Sequence, residues 1–109
     1  MKDRVAATSL LEKRYGERLR TFVAKDDEDD VWQARLRLCA ASDWAMRILA
    51  LREIHHQDQL ELAAQIVRIA ARHTFSFKGA NVVQAAHIVS RLGVVGPLIG
   101  KLEGMPDGK

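Results

Sequence analysis

The chain is poor in the residues that carry specialised chemistry. It has one cysteine in 109 residues, so no internal disulfide can form, and this fits a reducing cytoplasm. Cys39 sits in an apolar stretch and reads as a small buried hydrophobe rather than a reactive thiol. Aromatic residues make up only 6% of the sequence, so Leu, Ile, Val and Ala must fill most of any core. The longest stretch without Asp, Glu, Lys or Arg is the 12 residues between Lys78 and Arg91, too short to span a bilayer. No secretory leader is expected, because the apolar run after Met1-Lys2-Asp3-Arg4 is short and interrupted by Thr8 and Ser9. There is no Cys pair, no His-Glu-x-x-His, no Gly-x-Ser-x-Gly and no phosphate-binding glycine loop. Repeats, low-complexity tracts and strand patterns are also missing.

What is present is ordinary for a globular domain: 48% hydrophobic and 28% charged residues, with a formal net charge of +3. The charge is uneven. Five of the 14 acids form the run Asp26-Asp27-Glu28-Asp29-Asp30, which leaves 17 basic residues against 9 acidic ones elsewhere. Such a surplus can attract nucleic acid or an acidic partner, although no dense Lys/Arg block exists. The acidic run itself lacks the alternating ligands and central glycine of a calcium loop and is expected to be a hydrated turn. Asp29 or Asp30 is placed to cap the following helix.

Periodicity divides the chain into helices. A first helix is expected from about residue 3 to 24, with Leu11, Tyr15, Leu19 and Phe22 on one stripe. Residues 31 to 54 hold both tryptophans and are apolar on nearly every side, which predicts a central buried helix. Ser42-Asp43 could divide that segment in two, since both residues favour caps. Its arginines, Arg35, Arg37, Arg47 and Arg52, are expected to lay their stems on apolar surface and reach water with their heads. A third helix is predicted from about Gln59 to His73, capped by Asp58. A fourth runs from about Ala80 to Leu92 and ends at Gly93 as a left-handed residue. A short fifth starts near Pro97. In the loop after His73, Phe75 and Phe77 are expected to tuck onto the core. The predicted architecture is therefore all-α: about five helices around a central buried one, ending in a short helical hairpin. It forms one domain over 1–103 with a flexible tail over 104–109.

Three candidate sites follow. Residues 84 to 103 have the order helix, glycine turn, helix, as in a DNA-binding helix–turn–helix. Its nucleic-acid contacts would be Gln84, His87, Arg91 and Lys101. The start of the second helix, Val94-Val95-Gly96-Pro97, lacks the polar side chains that read base edges. The histidines His55, His56, His73 and His87 are a second candidate. Glu53 and His56 have Glu-x-x-His spacing, but the further carboxylates of a metal bundle are not in place, so no metal, cofactor or catalytic residue is expected. The third candidate is a protein-binding surface. Region 79 to 102 carries only Arg91 and Lys101 as charges, and an interface of Val94, Val95, Leu98, Ile99 and Leu102 could pair two copies about a twofold axis. The expected protein is a cytoplasmic, non-enzymatic interaction module with a protein partner, with a DNA-binding regulator as the alternative.

Overall fold

The computed structural model describes residues 10–23, 28–50 and 57–93, and among these every regular element is helical. A π-helical turn, Glu12–Gly16, runs straight into α1 (Glu17–Phe22). Then follow α2 (Asp29–Ala50), α3 (Gln57–His73) and α4 (Gly79–Arg91). The predicted fifth helix and residues 51–54 lie outside the described residues.

α2 is one unbroken helix of 22 residues. Ser42 and Asp43 do not divide it, because Asp43 finds its partner across the fold: its Oδ2 accepts a hydrogen bond from the Tyr15 hydroxyl at 3.0 Å. At the start of α2 both acids of the first turn are used. Asp30 Oδ1 accepts from the Val31 N–H at 2.9 Å, and Asp29 accepts from the Gln33 amide at 3.0 Å. Negative charge there also suits the positive end of the helix dipole.

The apolar sides of α2 serve two separate cores. Ala34, Leu38, Ala41 and Ala45, at helical spacing, pack with Ala63 and Ile66 of α3 and with Val82, Ala85, Ala86 and Val89 of α4. Leu36, Cys39 and Ala40 pack with Leu11, Tyr15 and Leu19. Trp44 is half-buried and touches both clusters. The helix is not covered all round, since Met46, Arg47 and Ala50 are exposed. Alanine dominates the larger core, which lets the helix backbones approach closely. One close approach is at Gly79, the first residue of α4, where a Cβ would lie 2.7 Å from Val31 Cγ2. At the far end of α4, Gly93 has φ +78° and ends the helix as expected.

Burial of Arg35 departs from the sequence reading. Its head does not reach water: the residue is 3% exposed and Nη1 donates to the Thr74 carbonyl at 2.8 Å. Thr74 closes α3, its N–H and Oγ1 both bonding the Ala70 carbonyl. The guanidinium therefore sits at the negative end of the α3 dipole, which offsets part of the cost of burying a charge.

Candidate functional site

Two solvent-facing surfaces stand out among the described residues, one aromatic and one of mixed character. The first lies at the turn between α3 and α4. All three phenylalanines of the chain are exposed: Phe22 by 64%, Phe75 by 43% and Phe77 by 99%. Phe75 and Phe77 thus do not tuck onto the core as their alternation with Ser76 suggests. The turn is held instead by polar contacts, Arg35 on Thr74 and the Ser76 N–H on the His73 carbonyl, so the rings are free to point outward. Phe75 packs edge-to-face on Phe22, with centroids 5.4 Å apart. That pairing brings the end of α1 against the α3–α4 turn and makes one aromatic surface from two distant segments.

Near the first helix, Arg20 lies over the Trp32 ring at 5.1 Å, and the Glu12 carboxylate accepts from both Arg20 and the Trp32 indole. Gly16 leaves room for that carboxylate. This cluster is a polar seam between π turn and α2, with each member already engaged.

The second surface is a groove of about 940 Å³ along the outer side of α4. Its floor is Val31, Gly79, Ala80, Val83 and Ile88; Glu28 and Asp30 stand at one end, with Gln84, His87 and Arg91 along the helix. Ile88, which a helical projection groups with Val82 and Val89 on one wide apolar face, is 39% exposed. The inward face of α4 is narrower than its sequence implies: Val82, Ala85, Ala86 and Val89 fill the space offered by α2 and α3.

Three of the four candidate nucleic-acid contacts, Gln84, His87 and Arg91, do share this one exposed stripe. The carboxylates of Glu28 and Asp30 share the groove with them and would repel a phosphate backbone. Lys101 and the candidate interface Val94, Val95, Leu98, Ile99 and Leu102 lie outside the described residues, as do His55 and His56. Among the described residues no three His, Cys, Asp or Glu side chains converge on a metal-sized site. No described helix is long and apolar enough to cross a membrane.

Burial pushes the Cys39 thiol up to about 11, against a nearby Arg18 charge that lowers it. The thiol is therefore protonated at neutral pH and a poor nucleophile. Tyr15 is raised well above the usual phenol range, chiefly by burial and then by the Asp43 charge and hydrogen bond. Both groups belong to the smaller core, and neither lines the groove along α4. The chain matches no known protein family, no curated protein and no solved structure.

Proposed function

We propose that this protein is a small, non-enzymatic helical interaction module, an adaptor or regulator that works by binding another protein. The observation that carries the reading is the phenylalanine surface of Phe22, Phe75 and Phe77, the chain's whole stock of that residue held in water. Aromatic rings in water cost free energy that a partner recovers, and aromatics are enriched where binding energy concentrates. The C-terminal hairpin expected from the sequence belongs to this proposal as a further binding element, with Val94, Val95, Leu98, Ile99 and Leu102 as its candidate interface for self-association.

The test is capture from an extract of the native host with the wild type and with Phe75→Ser/Phe77→Ser. Both rings are exposed, so the variant should keep its helical circular dichroism. A partner retained by the wild type and lost by the variant supports the reading; an identical set of captured proteins overturns it.

A DNA-binding regulator is the second reading. It is favoured by the placement of Gln84, His87 and Arg91 on one exposed stripe. It requires binding to random duplex DNA that weakens steeply as salt is added. Absence of binding at low salt ends it.

A further inference from the structure

We infer that the outer stripe of α4 is a self-recognition surface, which binds a second copy of this chain antiparallel about a twofold axis. The inference rests on the interaction reading and names one partner for it. Its basis is the order of groups along the groove. Ala80, Val83, Gln84, His87, Ile88 and Arg91 follow i, i+3, i+4, i+7, i+8, i+11, a single face of the helix. Read backwards, the stripe is complementary to itself. An antiparallel second α4 sets Val83 against Ile88 of the other copy, Gln84 against His87, and Ala80 against Arg91. The apolar side chains then meet apolar ones, and an amide meets an imidazole.

The ends decide the matter. Gly79 packs against Val31, so the N-terminal end of α4 lies beside Glu28 and Asp30 at the start of α2. Arg91 is 12 residues further along than Gly79, about 18 Å at the α-helical rise. That is too far for direct contact between Arg91 and these carboxylates in one copy. In the antiparallel pair each Arg91 comes to the Glu28 and Asp30 end of the other copy, twice by symmetry. A parallel arrangement would bring like charges together. The same two carboxylates that disfavour a phosphate backbone thus become the counter-charges of the dimer.

The experiment is sedimentation velocity on the full chain from low to high micromolar concentration, with circular dichroism of each variant. The wild type should be dimeric. Ile88→Glu should be a folded monomer, because the side chain is already partly exposed. Arg91→Glu and Glu28→Arg should each weaken the dimer by roughly tenfold or more, and the double reversal should recover most of the loss. A wild type that stays monomeric overturns the inference. So does a dimer that survives Ile88→Glu but is dissolved by Ile99→Glu, or a double reversal that is no tighter than either single variant. None of these failures touches the phenylalanine surface, whose partner capture is read separately. Phe75→Ser/Phe77→Ser should leave the α4 dimer intact.

Discussion

Arg35 is the residue whose environment contrasts most with its chemistry. A long basic side chain in a helix normally keeps its head in water, and nothing around Arg35 in the sequence says otherwise. Its acceptor is a carbonyl 39 positions away, at the end of α3. Hydrogen bonds from charged donors contribute about 1.5–3 kcal/mol, and removing one buried partner leaves the other unsatisfied. Arg35→Ala is therefore expected to cost about 2–4 kcal/mol in urea unfolding. It should also loosen the α3–α4 turn, read as faster amide exchange at residues 74 to 78. A loss below about 1 kcal/mol would show that the guanidinium is solvated. Cys39 and Tyr15 make the second residue-scale prediction. Both are acids whose protonated form is favoured in the folded state. Stability is thus fully present below their unfolded values and is lost as pH rises. For Cys39 the window runs from 9.0 to about 11. Over it the urea midpoint should fall, and Cys39→Ala should flatten that fall by an amount on the order of 2–3 kcal/mol. An unchanged slope would place the thiol in water. The neutral-pH thiol should also resist a thiol-specific reagent until urea is added.

At the scale of elements, α2 shows why a helix can be apolar on two sides and still have exposed residues. It has one core on the α3–α4 side and another on the side of the π turn and α1. Asp43, which looked like a breaker, is tolerated because Tyr15 supplies a donor. Gly79 sets how closely α4 approaches α2. An alanine there should favour the helix by up to about 1 kcal/mol from propensity alone. Its methyl would instead meet the stiff Val31 side chain at 2.7 Å. Gly79→Ala is expected to destabilise by about 1–2 kcal/mol, and the same change in a Val31→Ala background should be neutral or stabilising. Additive effects in that double-mutant cycle would refute the contact. The aromatic pair Phe22–Phe75 is equally an element-scale event, since it joins the end of α1 to the α3–α4 turn.

The whole molecule has a radius of gyration of 13.6 Å, close to the roughly 13 Å expected of a folded chain of this length. Its two cores meet at Trp44, the side chain common to both. Trp44→Ala should therefore weaken both at once. The ring is half-buried, so the expected cost is about 2–4 kcal/mol, below that of a fully enclosed tryptophan. The unfolding transition should stay single. If the two cores came apart at different urea concentrations in the variant, α2 would be shown to couple them through this ring.

The sequence alone settled what depends on periodicity and local chemistry. It placed the helical class, the approximate spans of α2, α3 and α4, the turn at Gly93, and an apolar stripe of which Leu11, Tyr15 and Leu19 are core while Phe22 is exposed. Those follow from spacing and backbone preference, which act over a few residues. Which apolar residues stay outside could not be read the same way, because every alternating or helical pattern offers more apolar surface than its neighbours can cover. Only the packed arrangement decided that Val82 and Val89 fill the core while Ile88 faces the groove, and that Phe75 and Phe77 remain in water. It also decided that Arg35 is buried and that the carboxylates of Glu28 and Asp30 stand at one end of α4 with Arg91 at the other. Each of these is a relation between residues far apart in the chain, set by helix packing geometry rather than by any local signal.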